Sequence, residues 1–263
     1  MAGTWYPGTR AALARAVDTH LAAAAPARET CPIGVIAPHA GLVYSGPVAA
    51  YAYQLVRACE YDAVVLVGPS HFVGFDGVAM WPRGAWETPF GAVNVAEDLA
   101  AAVTSASPLI QEHPDAHGRE HSLEMQLPFI AHLLPGVPIV PMVMGYQTRS
   151  TAEHLGDALA HAVKGRRVLL VASSDLSHYN NAGTAAAMDA VMLRHVEAFD
   201  PEGLMDALER EPAHACGGGP MVAVLRAARG LGATRARVLR YADSGDVSGD
   251  KNAVVGYMAA AIW

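Results

Sequence analysis

The sequence predicts an α/β fold: a single domain over residues 1–263, with a mainly parallel sheet flanked by helices on both faces. Three observations predict it. Short β-branched runs without a polar face recur at 33–37, 63–67 and 167–172, as in strands buried on both sides. Helical segments alternate with these runs, the order expected of βα units. No Pro/Ser-rich linker and no repeat of fixed period divides the chain. Hydrophobic residues make up 52% and charged residues 16%, enough apolar material for one large core.

Residues 10–24 are Ala-rich with apolar spacing near 3.6 and read as a helix. After the strand at 33–37, Gly46-Pro47 opens a helix through about Cys59, with proline early, where a helix tolerates it. The strand at 63–67 leads into 72–94, whose Gly, Pro, Trp and Phe suit a short β excursion or loops. Residues 98–105 read as a helix. Residues 120–134 read as a stronger one, with Leu123, Leu127, Ile130 and Leu134 on one face and a kink or break at Pro128. The prolines of the strand at 137–143 place it at a sheet edge or require a bulge. Helices follow at 151–163, opened by a Thr cap, and, after the strand at 167–172, at 182–199 and 201–211. Gly217-Gly218-Gly219-Pro220 leads into a helix to about Arg229, ended by Gly230 and Gly232. Strands at 236–242 and 253–262 close the chain, joined by a polar, turn-rich loop at 243–252.

The net charge is −7 and the arginines are scattered, which argues against general nucleic-acid or membrane-surface binding, since both need a basic patch. Three cysteines, Cys31, Cys59 and Cys216, are an odd and low count that suggests no disulfide framework and fits a reducing cytoplasm. Cys31 and Cys59 lack polar neighbours and read as core or surface residues. No charged-then-apolar leader opens the sequence, and no apolar stretch approaches the roughly 18 residues that span a bilayer. Met1 stands directly before Ala2-Gly3-Thr4-Trp5-Tyr6-Pro7, which reads as the middle of a motif, so a slightly truncated start is expected.

Three apolar runs end in histidine-bearing tips: 34–38 in His39, 63–70 in His71, and 168–175 through Leu176 and Ser177 in His178. In open α/β sheets ligands bind beyond the carboxyl ends of the strands, so these tips point to one site, and two imidazoles there point to a metal. His39 and His71 are the first ligand candidates. Cys216, followed by three glycines at a helix start, is the leading third, and a helix N-terminus is expected to lower its thiol pKa. Asp175 and His178, three apart, share a face if that turn is helical and suit a general base or a fourth ligand; an Asp cap with a surface His is the structural alternative. His121, between Glu120 and Glu124, belongs either around the site or to a capping arrangement. His113 and His117 read as solvated loop residues. Gly-x-Gly-x-x-Gly, Walker and Gly-x-Ser-x-Gly motifs are absent from the sequence.

Taken together, the motifs resemble the Memo family, whose prokaryotic members are often named AmmeMemoRadiSam system protein B. The matching segments, in family order, are AGTWYPG at 2–8, APHAGLVYSG at 37–46, GPSHFVG at 68–74, EHSLEMQLPF at 120–129, SSDLSHY at 173–179, ACGGGP at 215–220 and YADSGDVSGDKNAVVGY at 241–257. The resemblance implies a fold similar to class III extradiol dioxygenases, which hold non-haem Fe(II) through two histidines and a carboxylate. It implies His39 and His71 as metal ligands, Cys216 in the third ligand position, and His178, beside Asp175, as the acid/base histidine. A thiolate in place of the dioxygenases' glutamate shifts metal preference toward Cu(I), Zn or a thiolate-bound iron. The family name also implies association with an AMMECR1-type protein and a radical SAM enzyme.

Two functions follow. One is a metal-dependent, dioxygenase-like oxidoreductase in which Fe(II), or else copper, acts on a small substrate, an aromatic one among the candidates, with Trp5, Tyr6 and His121 lining the cleft; Zn is a further candidate for the bound ion. The other is a non-catalytic metal-handling or peptide-binding module, in which Trp5, Tyr6, Trp81, Trp86 and Phe90 line a groove. A metal-free hydrolase built on Ser174 and His178 ranks below both, because residues so close in sequence rarely reach triad geometry.

Overall fold

The computed structural model describes residues 1–24 and 30–263. In chain order its elements are α1 (Arg10–Ala23), β1 (Gly34–Ala37), α2 (Leu42–Gln54), β2 (Ala63–Pro69), β3 (Val78–Met80), β4 (Ala85–Thr88), β5 (Gly91–Asn94), α3 (Glu97–Ser105) and β6 (Ile110–Glu112). Next come α4 (Leu127–Leu133), β7 (Ile139–Met144), α5 (Arg149–Ala162), β8 (Val168–Ser173), β9 (His178–Asn180), α6 (Ala182–Glu197), α7 (Pro201–Arg210), α8 (Gly218–Gly230), β10 (Ala236–Asp243), α9 (Gly245–Ser248) and β11 (Val254–Ile262). One sheet runs β10-β11-β1-β8-β2-β7-β3-β6, with β9 added on β11, and β4 and β5 form a separate hairpin. The four central strands β1, β8, β2 and β7 are parallel, whereas β11 joins β1, and β3 joins β7, antiparallel. Every residue of these four strands is buried. Their alternate side chains feed two cores. On one face Ile36, Val65, Val140 and Leu170 meet α3, α5 and α8; on the other Val35, Leu66 and Val171 meet α1, α2 and α4.

The structure departs from the sequence pattern where a distant partner intervenes. The strand at 137–143 was expected at an edge because of its prolines, yet β7 lies inside the sheet between β2 and β3. Pro141 fits because it sits one residue beyond the β3 ladder, opposite Trp81, whose N–H donates to the Pro141 carbonyl (3.1 Å). At this last rung only the Trp81-to-Pro141 bond is made, and proline, having no N–H, gives up a single return bond at the end of the ladder rather than within it. The helix expected over 120–134 is shortened to α4, preceded by a 3₁₀ turn at Glu124–Gln126, and Pro128 falls in its first turn rather than at a kink. The cap of α5 is Thr148, whose hydroxyl accepts from the Thr151 N–H, rather than Thr151. Helix α2 begins at Leu42, four residues before Gly46, and ends at Gln54.

Cys31 and Cys59 form a disulfide, contrary to the expectation of unpaired thiols. The β1–α2 unit runs up the sheet and back, so residues 28 apart in sequence return to one end of it, with Cα atoms 5.7 Å apart. The cysteine count therefore carries no argument for a reducing compartment. Among the described residues no helix is long and apolar enough to cross a membrane.

Candidate metal centre

The parallel strands β1, β8 and β2 are neighbours in that order, and each carries its tip residues past its carboxyl end: His39, Asp175 and His71. Cys216 arrives from the opposite side, two residues before α8. The Nε2 of His39, a ring nitrogen of His71 and the Sγ of Cys216 lie within 4.8 Å of one another, and Cys216 Sγ stands 3.2 Å from His39 Nε2. The glycines after Cys216 permit this approach: a Cβ on Gly217 would collide with the Ser173 carbonyl.

Hydrogen bonds fix the protonation of both imidazoles. The Tyr53 hydroxyl donates to Gln126 Oε1 (2.8 Å), which turns the Gln126 amide nitrogen toward Ser173 Oγ (2.7 Å). Ser173 spends its one proton on the Ser122 carbonyl (2.6 Å). At His39 Nδ1, 3.0 Å away, Ser173 can therefore only accept, so Nδ1 carries the hydrogen and Nε2 presents a lone pair toward Cys216. On His71 the Nδ1–H donates to Glu120 Oε1 (2.9 Å), which leaves its Nε2 lone pair free. Glu120 also accepts the amides of His71 (2.6 Å), His121 (2.8 Å) and Ser122 (2.8 Å). Burial pushes its pKa up, but these bonds, led by that of the His71 ring, outweigh burial and bring it down to about 2. The same amide bonds hold 120–122 as a turn, which is why the expected helix starts later.

Burial keeps the His39 ring neutral, and the neighbouring His71 and His121 act in the same direction. The Cys216 thiol is pushed up by burial and by the Asp175 carboxylate, the reverse of the helix-start expectation. Asp175 is buried and its Oδ1 accepts the amides of His39 (2.7 Å) and Ala40 (3.3 Å), so it anchors the loop that carries His39. Asp175 and His178 do not share a helical face, because no helix forms between Ser174 and β9. In its pairing with β11, Val254 faces Asn180 and Val255 faces His178, which leaves Tyr179 as an extra, exposed residue at φ 62°. Burial lowers the His178 pKa, while Asp175 opposes the shift.

His121 stacks on His71 (4.6 Å, 20°) and lies tilted against Trp5 (4.4 Å, 41°), so this histidine joins the cluster. Tyr6, expected in the cleft, is largely buried beside Trp5, with its hydroxyl donating to Glu124 (2.8 Å). Trp81 and Trp86 pack on His117, and Phe90 on His132, outside the cluster. His117, expected in solvent, is buried and bonded to the Ala79 carbonyl (3.1 Å). Sequence reading had no signal for Gln126 or Ser173 as orienting groups, since each acts through a partner dozens of residues away.

The family model of Memo-like proteins matches residues 1–261. The chain belongs to the Memo family. A MEMO1 family protein of Methanothermobacter thermautotrophicus is 42% identical over 227 residues, covering 85% of this chain and 82% of that protein. One of Ignicoccus hospitalis is 38% identical, covering 98% and 95%. One of Thermotoga maritima is 40% identical, covering 88% and 83%. Among solved structures, an uncharacterized protein of Escherichia coli K12 shares the fold at a TM-score of 0.60 and 16% identity, covering 86% of this chain and 98% of that one. In this Memo family member His39 and His71, past the ends of β1 and β2, and Cys216, just before α8, form a group with the donor set of a candidate metal site.

Proposed function

We propose that the protein is a metal-dependent redox enzyme whose ion is held by His39 Nε2, His71 Nε2 and the Cys216 thiolate. Iron is the first expected ion and copper the alternative; two imidazoles and a thiolate also suit zinc, which would bind without redox chemistry and fits the second reading below. The observation that carries the reading is the pair of orientation chains, Tyr53–Gln126–Ser173 on His39 and Glu120 on His71, which leave two Nε2 lone pairs beside one thiol. Orienting partners of this kind are what metal-ligating histidines carry. When bound, the ion supplies an electron-transfer centre and coordination positions for a small aromatic substrate and its oxidant. The chain's own part is to hold a planar ligand against Trp5 and His121, and to move a proton at His178, whose pKa burial lowers.

A second reading, a non-catalytic metal-handling or partner-binding module, draws support from the rim. Trp5, Tyr44, Phe72, Tyr146 and Tyr179 are exposed; Phe72 and Tyr146 stand within three residues of the carboxyl ends of β2 and β7, Tyr44 is in the first turn of α2, and Tyr179 is in β9. The AMMECR1-type and radical SAM partners implied by the family resemblance belong with this reading.

Metal analysis of anaerobically purified protein tests the site. Near-stoichiometric iron or copper is expected in the wild type, reduced in Cys216→Ser and lost in His39→Ala/His71→Ala. No bound metal, and no uptake of added Fe(II), Cu(I) or Zn(II), removes the ligand assignment. His178→Ala then separates the readings: an enzyme loses turnover with its metal retained, whereas a module shows no turnover in either form.

A further inference from the structure

We propose that Gln147 is a positioning residue for the Cys216 thiolate; this rests on the reading of Cys216 as a ligand. Gln147 lies in the loop between β7 and α5 and reaches across to the start of α8. Its Nε2 donates to the Cys216 carbonyl (2.6 Å) and its Oε1 accepts the Gly219 N–H (2.8 Å). A carbonyl only accepts and an N–H only donates, so the amide has one orientation. Gly219 is in the first turn of α8, where N–H groups have no partner within the helix, and the cap residue Gly217 has no side chain to supply one. Gln147 thus caps the helix from another strand end and clamps Cys216 to it in the same stroke.

The need for a clamp follows from the three glycines. They let the chain approach Ser173 and Met144 closely, since a Cβ on Gly219 would meet Met144 Sδ at 2.6 Å, but they bring no side chain of their own to hold the backbone beside Cys216, which Ser174 Oγ restrains at the Gly217 N–H (2.9 Å). On the β8 side Cys216 is held by longer contacts: its N–H to the Asp175 carbonyl (3.3 Å) and the Asp175 N–H to Sγ (3.3 Å). The Gln147 bond to the Cys216 carbonyl is the shorter one and comes from the opposite direction, so the two together set where Sγ stands relative to His39 Nε2.

Cobalt(II) titration of the metal-free full chain tests this, with the thiolate-to-cobalt charge-transfer band and a chelator-competition affinity as readouts. Gln147→Leu is expected to bind Co(II) about 10–100-fold more weakly, with the band shifted or diminished and cooperative melting retained. Gln147→Glu keeps the size and the acceptor but loses the donor to Cys216. It is expected to fall with Gln147→Leu, which separates the clamp from packing. If both variants match the wild type in affinity and band while Cys216→Ser loses the band, the positioning role is overturned and the ligand assignment stands. If the wild type shows no charge-transfer band, the ligand assignment fails and the role fails with it.

Discussion

The two ends of the same parallel strands are built on different principles. At the carboxyl ends of β1, β8 and β2, the polar residues His39, Glu120, Ser122, Gln126, Ser173, Ser174 and Asp175 are buried. At the amino ends, Arg167 pairs with Glu60 (2.7 Å) and Asp62 (3.1 Å) in the open, and the Cys31–Cys59 bridge ties the approach to β1 to the segment after α2. A buried polar group is costly unless bonded, so such a cluster is retained only with partners. Here those partners orient two imidazoles and a thiol. The amino end carries attachment and the carboxyl end the candidate metal donors, so substitutions at the two ends should separate stability from the proposed metal binding.

The largest stability effect is expected at the amino end. Removing the disulfide with Cys31→Ser/Cys59→Ser releases a loop of 28 residues' separation, and the chain-entropy relation puts the loss at about 3–4 kcal/mol. Denaturant unfolding measures it, and metal affinity of the folded variant should not change; a large loss of affinity would break the division between the two ends.

Acid comes next. Burial holds the His117 imidazole down at about pKa 4 in the folded chain, against an ordinary value of 6.5. The unfolded chain therefore binds the extra proton first. Stability is full above pH 6.5 and falls as pH drops toward 4, by roughly 3 kcal/mol from this residue at about 1.4 kcal/mol per pKa unit. Urea midpoints across that window should decline less steeply in His117→Gln than in the wild type; equal slopes would remove His117 as a source of acid sensitivity.

Ser173→Ala acts at the carboxyl end. It takes the acceptor from His39 Nδ1–H and from Gln126, and frees the His39 ring to turn or change tautomer. Metal affinity is expected to fall about 10–100-fold, measured by chelator competition, with the cooperative melt retained. An unchanged affinity would show that Ser173 has no part in holding His39. The smallest effect is expected from Arg167→Ala, which removes exposed ion pairs that solvent already screens, so the melting temperature should barely move.

Much of this architecture was legible in the sequence. The runs at 33–37, 63–67 and 167–172 announced strands buried on both sides, because a residue's burial on both faces leaves an unbroken apolar word. The histidines at their tips marked the site, because parallel strands deliver their tips to one edge. The antiparallel placement of β11 beside β1 was not legible, since an apolar run does not state its direction. Nor was the interior position of Pro141, which depends on where β3 happens to stop.

The βα alternation, the candidate ligands His39, His71 and Cys216, and the family are each written in a contiguous stretch of the chain. Only the tertiary structure decided which nitrogen of each ring is free, that Gln147 and not a neighbour caps α8, and that Cys31 meets Cys59. The reason is one of range. Periodicity and motifs are local, whereas His39 and Ser173 are 134 residues apart, and Gln147 and Cys216 are 69 apart. A hydrogen-bond donor finds such a partner only after the sheet has brought their strand ends together.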